Sequence, residues 1–587
     1  MCGTPSGLSP MTIVVEKNVA VPMRDGVELR ADIYRPSAAG RYPVLLQRTP
    51  YNKELWPVTA ATLDPLRAAA AGYAVIIQDV RARWASAGEL FFPYRHETQD
   101  GADSLAWAAR QSFSSGQVGC YGLSYMGGTS WLAALSANPA LKAISPTTAP
   151  NDFWRNHFWR QGVLNLGTLA MWSLRAIGPA ALIRARPAAS ELGALLTQLF
   201  DDVDAFEEVL RALPLRQFRP GRPEDGKFLP FFYEMLEHPV PDSWTAELLF
   251  SNRHAEVTVP SLSIAGWHDL LLAADLEHFS AMRERGGSEL ARTQSRLVIG
   301  PWAHGMFQNV VGEIDFGFRA NGMLLDLKED LTRLQLRWFD RWVRGERNGF
   351  DDEPPVRIFV QGINRWQDAD TWPPAGTLSQ SWYLASGAAL VKNRAGADGA
   401  DGADSYVFDP YDPCPTRGGN LLLPQQYTAG PADQRAILDR RDVLTYVSSP
   451  LTADLAVVGS IRCELHASTS GLDTDWVVKF CEVHPDGRVM NICDGVVRAS
   501  LRDGEKRRLV APGQVLRYDI DLWSTATVLR AGHRIALIVT SSDFPRYDRN
   551  PNTGEFAHHA TKLESALQRI HFGSRYPSRL MLSVQPA

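Results

Sequence analysis

The sequence predicts an α/β domain built on a mostly parallel sheet, interrupted by a helical insert and followed by an all-β domain. Three observations carry this reading. Short unbroken apolar runs alternate with helix-like stretches through residues 1–150 and resume in 253–350. Residues 151–252 show no comparable strands. From about residue 351 the texture changes to many short strands separated by Gly, Pro and Asp. At 587 residues the chain exceeds one ordinary core, so two or three domains are expected.

The opening segment "TIVVEKNVAVPMRDGVELRADIYRP" alternates apolar and polar residues around Arg24, Asp25 and Gly26, the pattern of half-exposed antiparallel strands joined by a hairpin. The runs "YPVLLQRT", "GYAVIIQDV", "GQVGCYGLS" and "ALKAISPTTAP" are apolar without alternation, which suits strands covered on both faces. Between two of them, "DGADSLAWAARQ" sets Leu105, Trp107 and Ala108 on a helical repeat. The insert carries the amphipathic stretches "GTLAMWSLRAIGPAALIRA" and "SELGALLTQLFDDVDAFEEVLRAL". "VPSLSIAGWHD" and "SRLVIGPWAHG" then extend the sheet. After the acidic linker "FDDEPP", the segments "VRIFVQG", "SQSWYLA", "SIRCELHAS", "WVVKFCEVHPDGRV" and "HRIALIVTSS" predict a β-sandwich or jelly roll over 351–587, with "GADGADGADS" as a low-complexity surface loop.

Composition narrows the partners. Sixty Lys and Arg against 65 Asp and Glu leave a net charge of −5, without the basic stripe that attracts nucleic acid or anionic lipid. A small-molecule partner is expected, with no nucleic acid and no membrane. Cys2, Cys120, Cys414, Cys463, Cys481 and Cys493 form no CxxC pair and no metal-ligand spacing, so no metal site is expected. The beginning "MCGTPSGLSPMTIVVEK" lacks a basic region followed by an apolar stretch, and no later run approaches the roughly 20 apolar residues of a membrane span. The expected location is cytoplasmic, with reduced thiols; Met1 and Met11 both qualify as the natural start. Assembly is open, with a homo-oligomer as the expectation.

Ser124 lies in "YGLSYMGGTSW", between a buried strand and a run that reads as a helix. A nucleophilic serine needs such a strand–turn–helix, because the turn exposes the hydroxyl and the helix N-terminus favours an anionic intermediate. The spacing is Gly122-x-Ser124-x-x-Gly127, and Met126 departs from the generic G-x-S-x-G. On this stretch alone a nucleophile and a small residue at a strand end fit equally. A base and an orienting carboxylate are supplied by His304, near the end of "LVIGPWAHG", and Asp269, ending "SIAGWHD". Singly, each has an ordinary structural reading: Asp269 as a helix N-cap, His304 as a loop histidine. Jointly, the order Ser, Asp, His at successive strand ends points to catalysis. His268 is a weaker rival base, since neighbours on a strand face opposite ways. Tyr51, just past "LLQRT", could donate to an oxyanion beside the Tyr125 amide, or simply pack.

Taken together, "TPYNK", "QDVRARWASAGE", "GQVGCYGLSYMGG", "GWHD" and "GPWAHG", with the later "RWFDRWVRGERNG", "YVSSPLTADLAVVG", "VHPDGR" and "YPSRLML", resemble the cocaine esterase and X-Pro dipeptidyl-peptidase family of serine hydrolases over almost the whole chain. The family form of the serine motif is G-x-S-Y-x-G, which this chain meets. The resemblance implies an α/β-hydrolase domain, a helical cap inserted before the acid-bearing strand, and a C-terminal jelly roll packed over the site. It implies Ser124 as nucleophile, His304 as general base, Asp269 as its orienting carboxylate, and the Tyr51 hydroxyl with the Tyr125 amide as oxyanion hole. Trp172 would line the acyl pocket, Phe158 would form a second wall, and Leu271 would follow where an aromatic is usual. No metal or organic cofactor is implied. "QDVRA" has Ala82 where the family has glycine, and Asp79 and Arg81 read as a structural ion pair.

The activity implied is hydrolysis of small-molecule carboxylic esters through an acyl-enzyme. An α-amino ester hydrolase or β-lactam acylase would need carboxylates near the catalytic aspartate, where Leu270, Leu271 and Leu272 stand. An X-Pro dipeptidyl-peptidase would need an acidic anchor, for which Asp201, Asp202, Asp204 and Glu207 are candidates better explained as a solvated helix face. A non-catalytic binding protein on this scaffold would use exposed aromatics among Trp366, Trp372, Trp382, Trp476 and Trp523.

Overall fold

The computed structural model describes residues 12–586 apart from 187, 219–228, 243, 246, 247, 249, 393–400 and 505. Cys2, both candidate starts and the first half of "GADGADGADS" lie outside the described residues.

The first domain is one ten-stranded sheet. Strands β1 (Ile13–Pro22) and β2 (Glu28–Pro36) form the antiparallel hairpin expected around Arg24 to Gly26. Then come β3 (Tyr42–Thr49), β4 (Ala74–Asp79), β5 (Ser114–Leu123), β6 (Leu141–Thr147), β7 (Leu262–His268) and β8 (Arg296–Ala303). They run parallel in the order β4-β3-β5-β6-β7-β8, and β2 pairs antiparallel with β4. Every residue of β4, β7 and β8 is buried, as unbroken apolar runs require of strands covered on both faces. Helices α1 (Glu97–Ala109) and α2 (Tyr125–Ala134) are the crossovers into and out of β5.

The sheet continues where the β domain was expected to begin. β9 (Val356–Val360), the "VRIFV" run, pairs in parallel with β8, with Leu297 opposite Val356, and β10 (Arg365–Ala369) closes the edge antiparallel. A five-residue apolar run fits either sheet, and only the tertiary pairing decides which one it joins.

The insert is mainly helical but opens with a short hairpin, Trp159–Arg160 against Val163–Leu164. Its longest helix, Leu166–Ala185, contains a π-helical turn at Trp172–Ile177. Contrary to the sequence expectation, this helix is long and apolar enough to cross a membrane; 72% of the apolar window is buried inside the fold, as in a core helix. The C-terminal domain is an eleven-stranded β assembly, in which the long strand Leu455–Thr469 pairs with Leu516–Leu529 on one edge and with Ala566–Phe572 and Arg579–Gln585 on the other. Part of the expected low-complexity loop is ordered into this sheet: Gly402–Phe408 pairs antiparallel with Ala566–Phe572. Insert and β domain meet at a buried ion pair, Arg160 to Asp494 at 2.9 Å, with Arg546 on the same carboxylate at 2.7 Å. Burial alone would raise the Asp494 carboxyl, but Arg546 and Arg160 hold it down to about 2.

The expected Asp79–Arg81 pair does not form. Arg81 instead bridges Asp100 at 2.6 Å and Asp25 at 2.7 Å, while Asp79 accepts the Lys53 amide at 2.7 Å, with the Lys53 ammonium 3.5 Å away. Directly after Arg81 the chain turns through Ala82, whose φ of 57° lies in the left-handed region and accounts for the usual glycine there. Ala82→Gly is expected to raise stability by about 0.5–1 kcal/mol, since relief of left-handed strain exceeds the added chain entropy; a urea midpoint at or below wild type would contradict this.

Candidate active site

β5 ends at Leu123 and α2 begins at Tyr125, leaving Ser124 alone in the turn at φ 60°, ψ −121°. Its amide donates to the Thr147 carbonyl at 2.9 Å, and its carbonyl accepts from Gly128 at 3.0 Å. Close packing explains the glycines of the motif. A Cβ on Gly122 would stand 2.3 Å from the Met126 Cβ, and one on Gly127 2.9 Å from the Ala149 Cβ. Met126 is fully buried, so the departure from G-x-S-x-G places a core side chain where the generic motif has none, with glycine one residue later.

His304 follows β8, and its Nε2 lies 2.9 Å from Ser124 Oγ. Its Nδ1 lies 2.9 Å from Asp269 Oδ2 and 3.1 Å from Oδ1. Asp269, just past β7, is fully buried, and its Oδ1 also accepts the Leu271 amide at 2.8 Å. The aspartate therefore serves the local turn that its N-cap reading anticipated as well as the imidazole. Asn420, from the β domain, donates to the Asp269 carbonyl at 2.7 Å and pins the loop from above.

Tyr51 lies beyond β3, against the serine. Trp172 Nε1 donates to the Tyr51 hydroxyl at 3.0 Å, and Tyr51 and Ser124 line the same pocket. Burial pushes the Tyr51 phenol up, while the neighbouring Trp172 and Ser124 pull the other way, so it is a neutral donor. The Pro50 carbonyl accepts from Arg83 Nε at 2.8 Å and from Trp84 Nε1 at 2.9 Å, which fixes the Tyr51 turn. The same Arg83 guanidinium reaches the carbonyls of Ile177 at 3.1 Å and Ala176 at 2.7 Å, at the end of the π turn that begins with Trp172. Irregular helical turns of this kind recur at functional sites. Burial brings Arg83 down to about 10. As the first residue of α2, Tyr125 has an amide with no intrahelical partner. Its side chain is held by Glu97 at 2.9 Å, itself paired with Arg48 at 2.7 Å, and stacks on Tyr94 with ring centres 4.1 Å apart.

The pocket beside Ser124 is lined by Tyr51, Tyr94, Tyr125, His157, Phe158, Trp172, Leu270, His304 and Leu422. Of the residues expected there, Ser124, His304, Tyr51, Tyr125, Trp172 and Phe158 come together, with Asp269 behind the histidine. Leu271 does not line the pocket: its side chain is buried elsewhere, and Leu270 takes the place. The sequence alone could not choose within a run of three leucines. His157 adjoins the expected Phe158 and was missed; Arg83, Asn420 and Leu422 are too far from the motif residues in sequence to have been associated with them. His268 faces away, its Nε2 bonded to Gln361 at 2.8 Å.

A serine held on a strained turn and hydrogen-bonded through histidine to aspartate, all three at strand ends of one α/β sheet, defines a serine hydrolase of the α/β-hydrolase fold. Residues 25–306 match the X-Pro dipeptidyl-peptidase (S15) family, and 348–581 match the X-Pro dipeptidyl-peptidase C-terminal non-catalytic domain. The chain is 36% identical to the cocaine esterase of Rhodococcus sp. (strain MB1 Bresler), across 97% of this chain and 98% of that one. Among solved structures, an α-amino acid ester hydrolase superposes with a TM-score of 0.78 at 25% identity, covering 99% and 98% of the two chains. An aminopeptidase from a Thaumarchaeota archaeon superposes at 0.80 and 23% identity, covering 100% and 99%, a likeness of fold. The chain belongs to the S15 family.

Burial holds the His268 imidazole down to about 4, against 6.5 ordinarily. Between those values the unfolded chain binds a proton that the folded one does not, so this group's contribution to stability is complete above about 6.5 and is lost as pH falls, by about 1.4 kcal/mol per pH unit. Relative to wild type, His268→Gln should lose this dependence; urea titrations at pH 6.5, 5.5 and 4.5 giving parallel stability profiles would contradict the assignment.

Proposed function

We propose that this chain hydrolyses carboxylic esters of small molecules through an acyl-enzyme, with Ser124 as nucleophile. The observation that carries the reading is the 2.9 Å approach of Ser124 Oγ to His304 Nε2, with the opposite ring nitrogen on Asp269. His304 takes the serine proton as Oγ attacks the ester carbonyl, and Asp269 holds the ring and stabilises the imidazolium. The Tyr51 hydroxyl and the Tyr125 amide receive the oxyanion. His304 then protonates the leaving alcohol, and the same steps with water release the acid and restore the serine. The cocaine esterase relative, similar along the full chain, supports an ester as substrate.

An amine-bearing substrate, as in the α-amino ester and X-Pro readings, lacks a counter-charge here: no described residue lining the pocket is acidic. Asp201, Asp202 and Asp204 lie on the cap helix Ala189–Asp204, and Glu207 is engaged by Arg211 at 2.7 Å and by the Tyr427 hydroxyl at 3.0 Å. For a carbohydrate-binding role of the β domain, none of the five tryptophans offers an exposed platform: Trp382, Trp476 and Trp523 are buried and Trp366 and Trp372 half-buried. Cys120, Cys414, Cys463, Cys481 and Cys493 are buried and free, which supports a reducing, cytoplasmic location.

Wild type is expected to hydrolyse p-nitrophenyl esters from acetyl to octanoyl, and Ser124→Ala to show none of that turnover. Tyr51→Phe should fold normally and lose about 10²- to 10³-fold in kcat, the usual effect of removing one oxyanion donor. Turnover of dipeptidyl-proline p-nitroanilides without ester turnover would replace the ester reading by the peptidase one; an unchanged Tyr51→Phe kcat would remove Tyr51 from the oxyanion hole.

A further inference from the structure

His157 is a polar residue of the pocket to which the proposed acyl transfer gives no task. Its ring lines the cavity that holds Ser124. Neither ring nitrogen has a hydrogen-bond partner among the described residues, and Nδ1 is buried. Four other polar groups of the lining are engaged: Ser124 with His304, His304 with Asp269, the Tyr51 hydroxyl with Trp172, and the Tyr125 hydroxyl with Glu97. The Tyr94 hydroxyl is turned to the helix behind the serine, where a Cβ on Gly128 would stand 3.1 Å from it. A buried polar atom left unpaired in a native fold calls for an explanation, and inside a substrate pocket a polar group of the substrate supplies one.

The position of His157 is fixed. Its carbonyl accepts from Asn165 Nδ2 at 3.1 Å, and the next carbonyl, Phe158, accepts from the Asn165 amide at 2.7 Å. The ring stacks on Phe158 at 3.9 Å, and Phe158 in turn stands 5.8 Å from Trp172. His157 therefore belongs to the wall shared with Trp172, the residue that the family resemblance assigns to the acyl group. Burial, with His304 acting in the same direction, holds the imidazole down to about 3, so it is neutral and offers one donor and one acceptor. A hydroxyl matches that pair. An ammonium would enter a pocket without a lining carboxylate and beside the imidazolium that His304 becomes.

We propose that His157 selects esters whose acyl group carries a hydroxyl, by hydrogen bonding that hydroxyl within the pocket of Ser124. This rests on the esterase reading above and specifies its substrate class. A site built to hydrogen-bond a hydroxyl rejects the analogue lacking it, because its own polar group is then left unpaired.

The test uses matched ethyl esters followed by alkali titration: lactate against propionate, and 3-hydroxybutyrate against butyrate. Wild type is expected to favour the hydroxy ester in at least one pair by about 10-fold or more in kcat/KM. His157→Phe should bring that ratio to one or below while hydrocarbon esters are still hydrolysed, and His157→Gln, which keeps a donor and an acceptor, should retain part of the preference. Wild-type ratios at or below one in both pairs overturn the proposal without any variant, and so does a preference that survives unchanged in folded His157→Phe. Wild type that hydrolyses none of the four esters nor the p-nitrophenyl series would instead overturn the esterase reading itself.

Discussion

The backbone of Ser124 is held at φ 60°, ψ −121°, a conformation that costs a non-glycine residue about 1–3 kcal/mol and persists only where the surroundings leave no alternative. Those surroundings account for much of the local sequence. The parallel strands β5 and β6 fix the serine amide to Thr147, and α2 begins so abruptly that two positions of the motif have no room for a side chain. The return is a half-buried hydroxyl facing the pocket at the mouth of a helix with a free first amide, which is where negative charge is best received. Because the next two parallel strands also end at this edge, Asp269 and His304 arrive from β7 and β8 without any special loop.

Three parts of the chain close around that edge, and each is tied down by polar groups with few alternative partners. Arg83 links the Tyr51 turn to the cap helix through backbone carbonyls alone, so the helix bearing Trp172 and the loop bearing Tyr51 are set by one guanidinium. Arg160 carries the cap onto Asp494 of the β domain, a buried pairing that would leave an uncompensated charge if either partner moved. Asn420 and Leu422, from the β domain, bind the Asp269 loop and roof the pocket. The β domain thus takes part in the site, although it contributes none of the acid–base groups.

Much of this was legible in advance. Buried parallel strands reveal themselves as continuous apolar runs, so β3 to β8 could be read in order, and a strand-end serine, aspartate and histidine could be joined into one site by topology alone. Tyr51 and Tyr125 depended on family resemblance, since a loop tyrosine carries no local mark of its task. The errors have a common origin. The "VRIFV" strand, the strand inside "GADGADGADS" and the partners of Asp79 and Arg81 all concern which neighbour a segment meets, and local pattern is nearly silent on that. Leu270 and Leu271 differ only in direction, which the turn after Asp269 sets.

The sequence by itself determined the order of the sheet strands and pointed to Ser124, Asp269 and His304 at one sheet edge, because each is written in periodicity, in a motif or in the fixed relation between a strand end and the residue following it. The tertiary structure alone decided which side chains share the pocket, that Trp172 serves Tyr51 as well as the wall, and that His157 stands there unpartnered. Those facts depend on contacts between segments far apart in the chain, where only the packing of cap, sheet and β domain fixes direction and distance.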